Sequence, residues 1–124
     1  MDRSRNRGVG EAAGGAKNQG LFPNLFTPFA IGGVTLKNRI FVTGHMTMMA
    51  TDNLPNEDQV AYYQARARGG AALIVTEAAA VHPTAVRSGG VITAMSDSCI
   101  AGYARIVDAC APAGCAVFGQ LFHP

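Results

Sequence analysis

Residues 71–78 read "AALIVTEA" (Ala71–Ala78), and this nearly unbroken apolar run decides the fold. A strand that is buried on both faces shows such a continuous run, which is typical of parallel sheets. A similar run, "CAVFGQL" (Cys115–Leu121), follows later in the chain, and a shorter one, "RIFVTG" (Arg39–Gly44), precedes both. The three runs therefore predict three parallel strands.

The segment before the central strand predicts an amphipathic helix. In "PNEDQVAYYQARARGG" (Pro55–Gly70), Asn56 is placed to cap the helix, and Gln59 completes the spacing of a capping box. Arg66 and Arg68 in the last turn suit the negative end of the helix dipole. The predicted apolar face consists of Val60, Tyr63 and Ala67.

A second helix is predicted from "SDSCIAGYARIVDACAPAG" (residues 96–114), with Ser96 or Asp97 as its cap. The predicted apolar stripe of this helix consists of Ile100, Tyr103, Ala104, Val107 and Ala111.

The first ordered element is a predicted hairpin, "FAIGGVTL" (Phe29–Leu36), which turns at Gly32-Gly33. The order is then hairpin, strand, helix, strand, helix, strand. This alternation favours right-handed βαβ units and a parallel sheet. Periodicity leaves two architectures open, a doubly wound sheet and the opening of a (β/α)₈ barrel.

The composition is globular, with 48% hydrophobic and 15% charged residues among 124. Residues 1–20 are rich in Gly and charge, which predicts a flexible tail. Residues 21–124 carry six basic and six acidic residues, so nothing indicates a nucleic-acid or membrane surface. The odd cysteine count without CxxC spacing predicts buried reduced thiols, no metal site and a cytoplasmic protein; the cysteines are Cys99, Cys110 and Cys115.

The carboxyl ends of the strands are where either architecture places its chemistry. Small residues there allow a flat ligand to approach the backbone, and the Gln120 amide can both donate and accept hydrogen bonds. This combination suits a planar heterocycle with alternating carbonyl and N–H groups, or ordinary packing at a barrel mouth. The strand ends carry Thr43, Gly44, His45 and Met46, then Glu77, Ala78 and Ala79, then Gln120, Phe122 and His123.

Three motifs together resemble the opening of the Old Yellow Enzyme-type NADH:flavin oxidoreductases, the group that includes 2,4-dienoyl-CoA reductase. They are "LFTPFAIGGVTLKNRI" (residues 25–40), "ARARGGAALIVTEAAAVHP" (65–83) and "GQLFHP" (119–124). The resemblance covers residues 21–124. It implies the N-terminal part of a (β/α)₈ TIM barrel, an α/β fold, with the hairpin and about two and a half βα units.

The resemblance also implies a function. FMN would lie at the barrel mouth, take hydride from NADH or NADPH, and pass it to an activated C=C bond of a small-molecule substrate. Gln120 would hydrogen-bond the pyrimidine edge of the flavin, and Ala78 would contact the ring through its backbone. The full set of cofactor-binding residues implied in this way is Thr43, Gly44, His45, Met46, Ala78 and Gln120.

Several side chains have two interpretations. Many relatives have Pro and Met where this chain has Gly44 and His45, so His45 either modulates the flavin or substrate or is hydrogen-bonded in the barrel mouth. Glu77 is interpreted as an internal polar residue whose partners are its neighbours. His82 is interpreted as a loop residue, and His123 as structural support for the last loop.

A (β/α)₈ barrel needs ~250 residues, so the chain is interpreted as a truncated part of one. Catalytic residues and the phosphate-binding loops are expected beyond residue 124, and an iron–sulfur cluster only in a longer parent. The fragment is expected to bind FMN weakly, to be an inefficient reductase, and to self-associate through exposed sheet edges. Two alternatives are a non-catalytic interaction module that binds no flavin and a small doubly wound binding domain.

Overall fold

The computed structural model describes residues 20–86 and 88–124 of the chain. The flexible tail predicted for residues 1–20 lies outside the described residues, except for Gly20. Within these residues the fold consists of three α-helices, α1 (Pro23–Phe26), α2 (Glu57–Arg68) and α3 (Ile100–Cys110), five strands and short 3₁₀ turns. The strands are β1 (Phe29–Ile31), β2 (Val34–Leu36), β3 (Phe41–Val42), β4 (Leu73–Ala80) and β5 (Ala116–Phe122).

The predicted hairpin and the predicted parallel sheet are both confirmed. Strands β1 and β2 pair antiparallel around Gly32-Gly33, and Gly32 has the positive φ of 55° that such a tight turn requires. Strands β3, β4 and β5 form a parallel sheet in that order, with β4 in the centre. The register aligns Phe41 with Leu73 and Leu73 with Ala116, so all three strands start at the same level. Among the described residues the sheet does not close into a barrel.

The two faces of the sheet are covered differently. Helices α2 and α3 pack on one face, where Tyr63 and Ile106 contact Ile74 in the main buried cluster. On the other face, Leu36 of the hairpin packs against Leu73 at the start of β4. The hairpin therefore covers the amino ends of the strands and leaves their carboxyl ends free for a site. No helix within the described parts of the chain is long and apolar enough to cross a membrane.

The capping box predicted for α2 is confirmed. The N–H of Gln59 donates to Oδ1 of Asn56, and the N–H of Asn56 donates to Oε1 of Gln59, each over 3.1 Å. Tyr63 and Ala67 are buried as predicted, but Val60 is only half-buried. The third buried position of α2 is Gln59 itself, because its side chain reaches inward to the sheet.

The predicted start of α3 is wrong. A 3₁₀ turn over Asp97–Cys99 leads into the helix, so Cys99 occupies the N-cap position and has no side-chain capping bond. Ser96 likewise makes no capping bond to the turn.

The predicted apolar stripe of α3 is wrong except at Tyr103, which is half-buried and packs against the main buried cluster. Ile100 is 59% exposed and Val107 46% exposed. The buried residues are Gly102, Ile106 and Cys110. A close contact with the segment before α2 selects this face: a Cβ atom on Gly102 would lie 2.7 Å from Cβ of Pro55 and 2.9 Å from its carbonyl oxygen. Only a glycine permits this approach, and the hydrophobic pattern of the helix does not predict the contact between Gly102 and Pro55.

We therefore predict that Gly102→Ala destabilises the fold. Alanine in a helix interior normally gains about 0.5–1 kcal/mol over glycine, whereas the collision with Pro55 costs about 1–3 kcal/mol. Denaturant unfolding followed by circular dichroism measures the difference. Ala101→Gly, at the exposed neighbouring position, calibrates helix propensity alone. A Gly102→Ala variant at least as stable as the original chain would contradict the close contact.

The three cysteines are free thiols, in agreement with the prediction, and Cys110 and Cys115 are buried while Cys99 is half-buried. Burial raises the pKa of Cys110 and raises the pKa of Cys115 from 9.0 to about 11. The folded state therefore holds the Cys115 thiol in its neutral form at pH values where the unfolded chain releases the proton.

A pH dependence of stability follows from this raised pKa. The contribution of Cys115 is fully present below pH 9.0 and is lost as the pH rises towards about 11. We predict that Cys115→Ala flattens the decline of the unfolding free energy across this window, measured by denaturant unfolding under reducing conditions. An equal decline in the original chain and in the variant would contradict this assignment.

Candidate functional site

A β-bulge shapes the carboxyl end of the sheet. Val75 of β4 pairs with Phe118 of β5, but the next aligned pair is Ala78 with Gln120. Three steps along β4 thus match two steps along β5, which re-aims the side chains that follow the bulge. The bulge places Ala78 and Gln120, two of the predicted cofactor-binding residues, directly opposite each other.

Gly44 reaches the same place from β3. A Cβ atom at Gly44 would lie 2.2 Å from Oε1 of Gln120 and 3.0 Å from the carbonyl oxygen of Thr76. Only a residue without a side chain can come this close to the Gln120 amide. The structure therefore brings Gly44, Ala78 and Gln120 together at one sheet edge, and the Gln120 side chain is exposed there.

The residues after β3, numbers 43–49, form what we call the strand-end segment. Thr43 and Met46 of this segment are exposed, as a surface that faces a ligand must be. The ring of His45 is turned away towards α2, where Nε2 contacts the hydroxyl of Tyr62. Nδ1 lies 3.3 Å from the carbonyl oxygen of Thr43. If Nδ1 carries the proton and donates to that carbonyl, Nε2 is left to accept from the tyrosine hydroxyl.

Tyr62 is in turn held by Arg66. The guanidinium carbon lies 3.1 Å from the centroid of the Tyr62 ring, and Nη1 donates to the carbonyl oxygen of Tyr62 over 2.8 Å. A cation over an aromatic face is attracted by the ring quadrupole. Of the two interpretations of His45, this arrangement favours the hydrogen-bonded histidine, which contributes to the strand-end segment through its backbone.

Glu77 is fully buried between the sheet and α2. Its Oε2 accepts from the N–H of Thr47 over 3.1 Å, and its Oε1 accepts from the hydroxyl of Thr47 over 2.6 Å and from Nε2 of Gln59. Its own N–H donates to the hydroxyl of Tyr63 over 2.8 Å. Burial raises the pKa of Tyr63 to about 12, so this phenol stays neutral. The interpretation of Glu77 as an internal polar residue with satisfied hydrogen bonds is confirmed.

Asn53 ties the loop after β3 to the loop after β4. Its Nδ2 donates to the carbonyl oxygens of Val91 (2.7 Å) and Ser88 (2.9 Å), and its own carbonyl accepts from the N–H of Thr93 over 3.0 Å. Asn53 has a positive φ of 61°, which asparagine tolerates better than most residues. Sequence reasoning missed this residue, although an asparagine after Asp52 is a signal for a turn.

The two histidines of the later loops support each other through Thr84. The Thr84 hydroxyl lies 2.9 Å from Nδ1 of His82 and 3.2 Å from Nε2 of His123, and the two rings pack edge to face. These contacts fit the structural role predicted for His123, which stays a prediction. His82 lies in the loop after β4, as predicted, and caps its 3₁₀ turn. In the described residues no group of three or more His, Cys, Asp or Glu side chains is placed to bind a metal ion.

The sequence matches a family of flavin oxidoreductases. A sequence model of the NADH:flavin oxidoreductase / NADH oxidase family matches residues 24–124. An NADH oxidase of Thermoanaerobacter brockii is 37% identical over 109 residues, which are 82% of this chain and 16% of that protein. An N,N-dimethylglycine/sarcosine dehydrogenase of Chromohalobacter salexigens is 40% identical over 55 residues, 44% of this chain and 8% of that protein.

A solved structure gives the fold of a complete relative. The old yellow enzyme from Trypanosoma cruzi superposes with a TM-score of 0.74 at 33% sequence identity, covering 83% of this chain and 28% of that one. The chain thus spans less than a third of each of these relatives. Its elements are those of the first part of a TIM barrel, as predicted, and the chain belongs to the NADH:flavin oxidoreductase / NADH oxidase family.

Proposed function

We propose that this chain provides the first FMN-facing part of the barrel of an NAD(P)H-dependent oxidoreductase of the Old Yellow Enzyme type. Hydride passes through the flavin to an activated C=C bond or a related group of a small-molecule substrate. One observation carries the proposal: Gly44, Ala78 and Gln120 meet at the carboxyl edge of the sheet, where parallel α/β folds bind their ligands.

The residues at this edge fit the flavin. The Gln120 amide offers a donor and an acceptor to a heterocycle edge that carries both kinds of group, and it is exposed. Gly44 has no side chain, and Ala78 has only a methyl group, so a flat ring can approach the backbone beside the amide. When bound, FMN supplies two-electron hydride transfer between a nicotinamide and the substrate.

The chain's own residues have orienting roles in this proposal. Gln120 hydrogen-bonds the pyrimidine edge, which fixes the in-plane orientation of the ring and tunes its electronics. Thr43 and Met46 line the ring from the strand-end segment, together with the backbone of Gly44 and His45. Because Tyr62 holds the His45 ring against α2, that ring does not compete for the space beside Gln120.

In this proposal, substrate binding, proton donation and phosphate binding are carried out by residues outside 21–124. The matching regions make up only 28%, 16% and 8% of these relatives, and a barrel of this kind has eight βα units. We place the substrate-binding, proton-donating and phosphate-binding groups in those other units. Two relatives are named for different reactions, as an NADH oxidase and as an N,N-dimethylglycine/sarcosine dehydrogenase. The proposal for this chain therefore rests on the redox step through the flavin and not on one substrate.

We predict that Gly44→Ala abolishes FMN binding by the chain. The added methyl group would collide with the Gln120 amide and push it away from the pyrimidine edge. Gly119→Ala is the matched control, because a Cβ atom at Gly119 meets nothing within 4 Å. FMN is titrated into each protein, and quenching of flavin fluorescence and displacement of the visible absorption bands are followed.

The original chain and Gly119→Ala should quench the flavin and shift its bands, whereas Gly44→Ala should leave the spectrum of free FMN. Equal binding by all three proteins would show that the flavin lies elsewhere. A chain that leaves the FMN spectrum unchanged would favour the alternative function, an interaction module that binds no flavin.

A further inference from the structure

We propose that Glu77 is a positioning residue, whose buried carboxylate holds the strand-end segment in the shape that receives the flavin. The inference rests on the proposed function, and it adds a residue that contacts neither flavin nor substrate. Glu77 lies within the bulge of β4 and immediately precedes Ala78, while its side chain is turned into the layer between the sheet and α2.

The number and direction of the hydrogen bonds to Glu77 fix the position of Thr47. Thr47 donates to the carboxylate twice, once from its backbone N–H (3.1 Å) and once from its hydroxyl (2.6 Å). Two bonds from one residue fix both its position and its orientation. Since Glu77 and its partner Gln59 are fully buried, water cannot replace a lost bond, and each unmade bond would be costly.

The same hydrogen-bond network also holds the end of the strand-end segment and the chain just after it, at Met49 and Thr51. Gln59 donates to Glu77 and at the same time accepts from the N–H of Asn56. Asn56 in turn donates to the carbonyl oxygen of Met49 over 2.6 Å and to the hydroxyl of Thr51 over 3.0 Å. A continuous hydrogen-bonded path therefore joins β4, the start of α2 and both ends of the segment between Thr47 and Thr51.

This network is connected to the flavin site through the short distance from Thr47 to Gly44 along the chain. Thr47 lies three residues after Gly44, whose α-carbon is already so near to Gln120 that a Cβ atom would collide with it. A shift of the strand-end segment would therefore change the space beside the Gln120 amide directly. Glu77 thus acts on flavin binding through Thr47 and the segment.

The three hydrogen-bond donors around the Glu77 side chain require a carboxylate at this position. An ionised carboxylate is an acceptor on both oxygens, as its three donors demand. In Glu77→Gln, an NH₂ group would face either the N–H of Thr47 or the NH₂ of Gln59. The reciprocal double variant Gln59→Glu/Glu77→Gln restores a donor–acceptor pair across the same contact and keeps an acceptor oxygen for the capping box.

The test combines two measurements on the full chain. Amide hydrogen exchange of residues 43–49, measured without FMN, reports how firmly the segment is held. Flavin fluorescence titration reports the affinity for FMN. The variants are Glu77→Gln, the reciprocal double variant, and Thr47→Val, which keeps the backbone N–H donor to Glu77 but removes the hydroxyl, with its bond to Glu77 and its acceptance from the N–H of Met49. Asp58→Asn is the control, because it removes one carboxylate from the exposed side of the same helix end.

We expect Glu77→Gln to accelerate exchange at Thr47 and its neighbours about tenfold or more and to weaken FMN binding, with a smaller effect for Thr47→Val. The double variant should recover both properties, and Asp58→Asn should change neither. Unchanged exchange in both Glu77→Gln and Thr47→Val would overturn the proposal, as would faster exchange with undiminished FMN affinity. If Glu77→Gln does not fold, Thr47→Val and the double variant decide between these outcomes.

Different experimental outcomes would refute the proposed flavin function and the proposed positioning role of Glu77. If the original chain binds no FMN, the proposed function fails for this chain, while exchange without FMN still decides whether Glu77 holds the segment. If FMN binds and Glu77→Gln changes neither measurement, the flavin site stands and the positioning role is refuted.

Discussion

This part of the fold depends on one buried carboxylate, that of Glu77. It lies fully buried between the parallel sheet and the helix α2, and it has no counter-ion among the described residues. Such a group is tolerated only when its lone pairs are used, and Glu77 uses them on Thr47 and Gln59. Its partners come from the loop after β3 and the first turn of α2. Satisfying one buried side chain therefore fixes how three successive pieces of chain meet.

The bulge in β4 allows this arrangement to coexist with a ligand site. Without the extra residue, the strict alternation of a strand would fix which of Thr76, Glu77 and Ala78 face the helices. With it, Glu77 lies in the helix layer while Ala78 stays opposite Gln120. On the helix side, the end of β4 carries the hydrogen-bond network of Glu77. At the carboxyl edge of the sheet, it contributes to the proposed flavin site, which consists of small residues and the Gln120 amide.

The sequence predicted the parts of the structure that depend on local patterns. The buried run of β4, the glycine turn of the hairpin and the capping box of α2 each depend on a few neighbouring residues, and all are confirmed. Strand β5 is present as predicted, but its predicted burial is wrong: residues 116–118 are half-buried and residues 119–121 are exposed, because β5 is an edge strand of the described sheet. Gly44, Ala78 and Gln120 were also placed correctly at one edge, because parallel strands bring their carboxyl ends together.

Apart from the cap of α3, which is a local feature, the predictions on the packing of side chains failed or were missing where they concern contacts between distant segments. The buried face of α3 is selected by Pro55 against Gly102, which no periodicity reveals. The Tyr62 contact of His45 and the donation of Thr47 to Glu77 likewise join residues that are 17 and 30 positions apart. Such contacts depend on how the elements pack, so local propensity and hydrophobic pattern carry no information on them.

The most direct test of the account is to map the flavin on the chain by amide NMR during an FMN titration. The account predicts that the largest shift changes cluster at Thr43–Met46, Ala78 and Gln120, while the hairpin at Phe29–Leu36 stays unchanged. Shift changes centred on the hairpin end of the sheet, or the absence of any change, would contradict the placement of the flavin site at the carboxyl edge.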